Sequence, residues 1–71
     1  MPEDSPKPIA LTDRERIILQ GVARGMTSPQ IAAELSLSPE TIKWHRKRLL
    51  TKFSAATSAE MILKAVESKI L

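Results

Sequence analysis

Two helix starts follow each other closely within TSPQIAAELSLSPETIKWHRKRLLTKF, residues 27–53. In each, a hydroxyl residue that can cap a helix stands before a proline, Pro29 in the first case and Pro39 in the second. Proline suits the first turn of a helix because the N–H that it lacks would have no partner there. The first of these helices is expected to end near Leu35, which leaves about three residues for the turn. The stretch therefore predicts a helix-turn-helix in which Leu37 holds the turn against the core.

Another helix is predicted on the N-terminal side of this pair. Thr12 and Glu15 have the spacing of a capping box, and Gly25 is a residue that commonly ends a helix in the left-handed conformation. Helix one is therefore expected over about residues 13–24. Gly21 in its interior costs about 1 kcal/mol relative to alanine, and the close approach of a neighbouring helix would explain its presence.

A fourth helix is predicted after helix three, because Thr57 and Glu60 repeat the capping-box spacing. No stretch shows the alternation of a strand, so the chain predicts an all-α fold of four short helices over residues 11–71. Residues 1–10 contain three prolines and no apolar periodicity, which predicts a flexible Pro-rich linker. The apolar stripe of the fourth helix is expected to consist of Ala59, Ile62, Leu63, Val66 and Ile70.

Helix three, expected over about residues 39–53, has an apolar side and a basic side. Ile42, Leu49 and Phe53 fall within about 40° of one another on a helical wheel and form the side that faces the core. A helix with a basic, hydrogen-bonding outer face fits the major groove of DNA, where an aromatic ring can also contact a base edge or a thymine methyl group. The residues on this outer arc, which we expect to contact bases, are Lys43, Trp44 and Lys47.

Residues beside this arc are expected to reach the DNA backbone. Arg48 and Lys52 flank it, and the start of the helix offers free N–H groups near Ser38 and Thr41 that can hold a phosphate. Arg46 lies about 40° from the centre of the core side, so its stem should be buried while its head reaches a phosphate or a neighbouring residue.

The net charge of +3 is distributed unevenly along the chain. Residues 1–40 hold four basic and six acidic side chains, a charge of −2, whereas residues 41–59 hold five basic side chains and no acid, a charge of +5. Positive charge concentrated on one element is an electrostatic footprint for a polyanion. The charge pattern therefore supports nucleic-acid binding by helix three.

The composition argues against catalysis. The 71 residues make one small domain with no cysteine, no glycine-rich phosphate loop and no metal-ligand spacing. The single histidine, His45, has no acid three or four residues away and is expected to be packed and hydrogen-bonded. We therefore expect no enzymatic activity, metal, cofactor or small-molecule ligand. The absence of a long apolar run predicts a cytoplasmic protein that does not span a membrane.

The chain resembles the LuxR-type (GerE-like) helix-turn-helix DNA-binding domain of bacterial transcription regulators over about residues 11–71. It departs from the family pattern at Arg46, where the family commonly has an apolar residue, and at Ser58, where an arginine is typical. The residues that stand at the family's spacing are Leu11–Thr12, Arg14–Glu15, Gly25, Ile31–Ala32, Leu35, Thr41–Lys43, His45 and Lys52.

The resemblance implies the output domain of a bacterial transcriptional regulator, of response-regulator type, that binds double-stranded DNA at the nucleoid. Its third helix is the recognition helix in this family, so Lys43, Trp44 and Lys47 take the base-contacting positions. The family's fourth helix pairs two copies on DNA, which implies a homodimer contact at Met61 and Ala65, and RNA polymerase is a second candidate partner. The positions that contact or support the DNA backbone fall on Thr27, Ser28, Ser38, Thr41 and Lys52.

Two other functions are compatible with a basic helix. The domain could instead be a protein-interaction module that grips an acidic partner with Trp44 and the basic face, in which case steep salt-linked DNA affinity is not expected. A basic amphipathic helix lying on an anionic membrane is disfavoured, because the core needs the face that carries Ile42, Leu49 and Phe53.

Overall fold

The computed structural model describes residues 9–71, which form four α-helices. The helices are α1 (Asp13–Ala23), α2 (Ser28–Leu35), α3 (Pro39–Lys52) and α4 (Ser58–Glu67), and the described residues contain no strand. The predicted all-α fold with a helix-turn-helix is therefore confirmed. Helices one and three each end one residue earlier than expected.

The folded unit begins before residue 11. Ile9 packs against the core, and the backbone carbonyl of Ala10 accepts a hydrogen bond of 3.1 Å from Lys52 Nζ. These two residues were expected in the linker, and the structure instead joins them to the domain. The rest of the predicted linker, residues 1–8, lies outside the described residues.

Every helix begins at a hydroxyl side chain that accepts a hydrogen bond from a backbone N–H three residues later. The capping boxes of α1 and α2 are complete, because the Glu15 and Gln30 side chains each accept the N–H of the cap residue in return. In α4 the returning bond is displaced by one residue, since Glu60 accepts the N–H of Ala56 at 2.7 Å. The four caps are Thr12, Thr27, Ser38 and Thr57.

Every helix also ends in the same way, with one residue of positive φ. The next residue then bonds through its N–H to a carbonyl five residues back, as Leu37 does with Ala32 and Ile70 with Ala65. These following residues, Met26, Leu37, Ala55 and Ile70, all pack against the core, so each turn returns the chain to it. The left-handed residues are Gly25 (φ 83°), Ser36 (φ 58°), Ser54 (φ 52°) and Lys69 (φ 61°).

The buried face of α4 differs from the predicted stripe. Met61 and Ala65 are fully buried, whereas Leu63 and Val66 are 58% and 52% exposed. The predicted stripe followed the most apolar arc of the helical wheel, which is centred on the side opposite Met61 and Ala65. Its last member, Ile70, lies beyond the helix and reaches the core through the terminal turn. The predicted dimer contact at Met61 and Ala65 is therefore wrong, because the chain's own core covers both side chains. The core consists of Ile18, Leu19, Val22, Ile31, Ala32, Ile42, Leu49, Phe53, Met61 and Ala65.

Gly21 lies where the Ile31 side chain of α2 packs against α1. A Cβ atom at this position would lie 3.0 Å from both Cγ1 and Cδ1 of Ile31, a side chain that is 2% exposed. This spacing is tighter than ordinary van der Waals contact. The Ile31 side chain, rather than a close approach of the two helix backbones, therefore explains the glycine at this position.

Candidate nucleic-acid interface

The outer face of α3 brings together the three residues expected to contact bases. Lys43, Trp44 and Lys47 are all exposed, and Trp44 retains 54% of its accessible surface. Ile42 and Leu49 on the opposite side of the same helix are fully buried, so the core fixes the direction in which the outer face points. The sequence predicted the correct side of the helix for all five residues, because the helical period alone decides which residues share a side.

Glu40 is an acid at the start of this face. It is exposed in the first turn of α3, where the helix dipole favours a negative charge. A carboxylate repels phosphates but accepts a hydrogen bond from the amino group of cytosine. The sequence analysis assigned it no role, although the residue lies on the outward side of the wheel.

Trp44 has a charged neighbour and an aromatic neighbour. The guanidinium carbon of Arg48 lies 4.9 Å from the centre of the indole ring, within the range of a cation–π interaction. The His45 ring meets the indole edge-on, with ring centres 5.1 Å apart and an angle of 77° between the planes. Half of the Arg48 side chain, 52%, is exposed, so this residue also lies at the surface of the helix.

His45 is packed, but it lacks the hydrogen bond that was expected. Its Nδ1 atom is buried and has no hydrogen-bond partner in the described part of the chain. The helical wheel showed that the ring lies near the core side, but it could not show whether a donor or acceptor from another element would meet it. The expectation of a hydrogen-bonded histidine is therefore wrong for Nδ1.

Arg46 reaches neighbouring residues in the folded domain. Its Nη1 donates to Ser28 Oγ at 2.9 Å, and its Nη2 donates to Ser58 Oγ at 3.0 Å, which links α3 to the first residues of α2 and α4. Ser28 is 6% exposed and its hydroxyl supports Arg46, and its contact with the DNA backbone stays a prediction. Lys43 and Lys47 join the three residues in lining an open groove of about 440 Å³.

Lys52 also has a partner inside the fold. Its ammonium lies 2.7 Å from Glu15 Oε1 and donates to the carbonyl of Ala10, and only 29% of its side chain is exposed. The ammonium of Lys52 thus has an intramolecular partner, which the sequence did not indicate, and its contact with a phosphate stays a prediction. The partners are 37 positions apart in the sequence, so no spacing rule could pair them.

Glu15 is the buried acid that receives this cation. The residue is 3% exposed, and burial alone would raise its pKa. The hydrogen bonds from Lys52 and from the N–H of Thr12, together with the charge of Lys52, outweigh burial and hold the pKa of Glu15 below its ordinary value. The carboxylate is therefore ionised near neutral pH and balances one cation of α3.

Two further residues predicted to contact the DNA backbone, Thr27 and Ser38, are helix caps near the surface. Thr27 and Ser38 are exposed, and each uses its hydroxyl oxygen to accept the N–H of Gln30 or Thr41. The hydroxyls of Ser38 and Thr41 share a hydrogen bond of 2.8 Å, in which either oxygen can be the donor. Thr27 accepts through its oxygen, which leaves its hydroxyl proton able to donate to an anion.

A helix-turn-helix whose second helix presents a basic outer face defines the class of helix-turn-helix DNA-binding domains. Within that class, the chain belongs to the luxR family of bacterial regulatory proteins, whose family model matches residues 9–65. The resemblance stated from the sequence is confirmed. None of the helices in the described residues is long and apolar enough to cross a membrane.

Individual relatives agree with the family. The chain is 45% identical over 51 residues to the transcriptional regulatory protein UhpA of Salmonella typhimurium, covering 72% of this chain and 26% of UhpA. It is 32% identical over 62 residues to the transcriptional regulatory protein FixJ of Bradyrhizobium diazoefficiens, covering 87% of this chain and 30% of FixJ. The chain thus spans about a third or less of the length of these relatives.

A solved structure supports the same fold. The crystal structure of the response regulator ChrA of a heme-sensing two-component system superimposes with a TM-score of 0.83 at 30% identity, covering 94% of this chain and 33% of that one. These similarities identify a LuxR-family helix-turn-helix domain of the kind found in response-regulator transcription regulators.

Proposed function

We propose that this domain binds double-stranded DNA with α3 in the major groove, as the output domain of a bacterial transcription regulator of response-regulator type acting at the nucleoid. One observation carries the proposal: α3 exposes Lys43, Trp44 and Lys47 on one side and buries Ile42 and Leu49 completely on the other. A helix that is anchored on one side and basic on the other matches the width and the charge of the major groove.

The chemistry of the outer face favours particular bases. The ammonium groups of Lys43 and Lys47 are donors that suit the O6 and N7 acceptors of guanine. The indole of Trp44 offers apolar surface for a thymine methyl group and one N–H donor. We infer a half-site in which guanine and thymine occupy the positions opposite this face.

Phosphate contacts on either side of the groove would fix the position of α3. The hydroxyls of Thr27, Ser38 and Thr41 lie on one flank, at the starts of α2 and α3. Arg46 lies on the other flank of α3, in the open groove that Lys43 and Lys47 also line, where it could contact a phosphate. Such contacts supply affinity without reading sequence.

Two copies of the domain are proposed to pair through the outer side of α4. Leu63 and Val66 are exposed there, three residues apart on one helical face. Two aliphatic side chains bury too little surface for a stable dimer in solution, so pairing would depend on DNA holding the two copies together. Met61 and Ala65 behind them have the role of core residues.

Selection of binding sites from a pool of random DNA duplexes tests the proposed function. We expect enrichment of one motif in two copies, bound more tightly than a scrambled duplex of equal length. Polyglutamate at the same charge concentration should compete poorly with the selected duplex. The proposal would be contradicted if no motif were enriched and polyglutamate displaced the domain as effectively as DNA does. That outcome would favour an acidic protein partner.

A further inference from the structure

The indole of Trp44 is 54% exposed, and two side chains of the same helix contact its ring. An exposed tryptophan side chain has several rotamers available, and fixing one of them on binding costs free energy. Here the Arg48 guanidinium lies over the ring at 4.9 Å, and the His45 ring meets its edge at 5.1 Å. Trp44 and Arg48 are four residues apart, the spacing at which side chains on a helix surface meet.

Arg48 is in turn attracted to a fixed point in the fold. Its Nε atom lies 4.0 Å from Glu15 Oε2, while Glu15 Oε1 accepts from Lys52 at 2.7 Å and from the N–H of Thr12 at 3.0 Å. The two carboxylate oxygens thus have different partners: Oε1 accepts the hydrogen bonds from Lys52 and Thr12, and Oε2 faces Arg48. A continuous series of contacts leads from the buried start of α1 to the exposed indole.

We propose that Arg48 is a positioning residue: its guanidinium, attracted by Glu15 and stacked on the indole, holds Trp44 in one outward orientation for contact with the bases. The inference deepens the proposed function and rests on it. It also reassigns Arg48, which the sequence analysis treated as a phosphate contact. The guanidinium covers one face of the indole, which leaves the opposite face and the outer edge for a thymine methyl group or another base edge.

The first test uses the free protein and the fluorescence of its single tryptophan. In the wild-type domain, nanosecond anisotropy of Trp44 should decay mainly with the tumbling of the whole domain. Arg48→Met keeps most of the stem but removes the guanidinium, and it should add a fast decay component from local motion of the indole. Arg48→Lys keeps the charge without the planar group and should give a smaller fast component.

Lys47→Met is the matched control, because it removes an exposed cation from the same face of α3 without removing the group stacked on Trp44. Its anisotropy decay should equal that of the wild-type domain. An unchanged decay in Arg48→Met would overturn the inference. Circular dichroism of each variant checks that the helices are intact, which we expect because Arg48 is half-exposed.

The second test is a double-mutant cycle on DNA, with a labelled duplex selected by the wild-type domain. Arg48→Met should weaken binding about fivefold when Trp44 is present and less than about twofold in a Trp44→Ala background, since residues in contact are coupled. The salt dependence of binding should stay nearly the same. Equal losses in both backgrounds, with the log–log salt slope reduced by about 0.9, would show a direct phosphate contact and contradict positioning.

The two tests separate this inference from the proposed function. If the wild-type domain binds no duplex at all, the proposed function fails. The anisotropy of Arg48→Met in the free protein still decides whether Arg48 holds the indole.

Discussion

Glu15 and Lys52 form an ion pair through which a charge on α3 contributes to the folded structure. The Glu15 side chain is 4% exposed, and its ion pair with Lys52 closes the space between the start of α1 and the end of α3. Removal of one member of a buried pair leaves the other uncompensated, which is strongly destabilising. Loss of one member of the pair is therefore expected to lower stability substantially.

Lys52→Met should lower the free energy of unfolding by about 3 kcal/mol, because the Glu15 carboxylate would lose its closest cation. Urea denaturation measures the change. Lys43→Met, which removes an exposed cation from the same helix, is the control and should change stability by less than about 0.5 kcal/mol. Equal stability of the two variants would mean that the ion pair contributes little.

Lys47 is expected to contribute to base readout. Lys47→Ala should weaken binding to the selected duplex by about 1 to 3 kcal/mol and relax the base preference at one position of the motif. Arg24→Ala removes an exposed cation at the end of α1 and serves as the control. Site selection repeated with both variants measures the change in base preference. An unchanged motif for Lys47→Ala would show that Lys47 does not contribute to base readout.

At the level of the helices, the Ile31 side chain of α2 packs against α1 at Gly21. Gly21→Ala gains about 1 kcal/mol of helix propensity, but the added methyl group must displace Ile31 in a packed core, which costs about 1 to 3 kcal/mol. We expect a net loss of about 1 kcal/mol in thermal unfolding. The loss should shrink in an Ile31→Val background, where the Cδ1 atom is absent; a net gain of stability in the parent domain would show that the core yields easily.

Helix boundaries could be predicted from sequence because their signals are local. A cap and its partner lie three residues apart, and the prolines and Gly25 act on the residues beside them. Such local signals are absent at the ends of α3 and α4, where Ser54 and Lys69 adopt positive φ without being glycine. In α4 the stripe was also extended past the end of the helix to Ile70. The helical period nevertheless identified the outer face of α3, because it needs no knowledge of the neighbouring helices.

The contacts of the flanking cations could not be predicted, because they depend on how the helices cross. Arg46 meets Ser28 and Ser58, which are 18 and 12 positions away, and Lys52 meets Glu15 at a separation of 37. A basic side chain on the flank of α3 has the same sequence signal whether it faces a phosphate or a buried carboxylate. Packing decides between these outcomes.

For the whole molecule, the ionisation of Glu15 links stability to pH. The pKa of Glu15 lies below its ordinary value of 4.5 in the folded domain, so the unfolded chain binds this proton more readily. Its contribution to stability is fully present above about pH 4.5 and is lost as the pH falls through the lowered pKa. Urea midpoints measured from neutral to acidic pH should fall in this window, and they should fall less in Glu15→Gln, which is less stable at neutral pH. Parallel pH profiles for the two proteins would contradict the assignment.

Pairing of two domains is also a property of the whole molecule. Leu63→Gln changes a side chain that is 58% exposed, so stability should change by less than about 0.5 kcal/mol. Binding to a duplex with two half-sites should become less cooperative, while binding to a single half-site should not change. Mobility-shift titrations on both duplexes measure this difference, and equal cooperativity in the variant and the parent would place the pairing surface elsewhere.

The measurement that bears most directly on DNA binding by α3 is a titration of the domain with duplex DNA at several salt concentrations, followed by the emission of Trp44. We predict that the emission changes on binding and that the logarithm of the affinity falls linearly with the logarithm of salt, with a slope of about −0.9 for each phosphate neutralised. This result would show that the exposed face of α3 lies against the duplex. A duplex that binds without changing the emission of Trp44, or with an affinity that salt does not alter, would contradict the account.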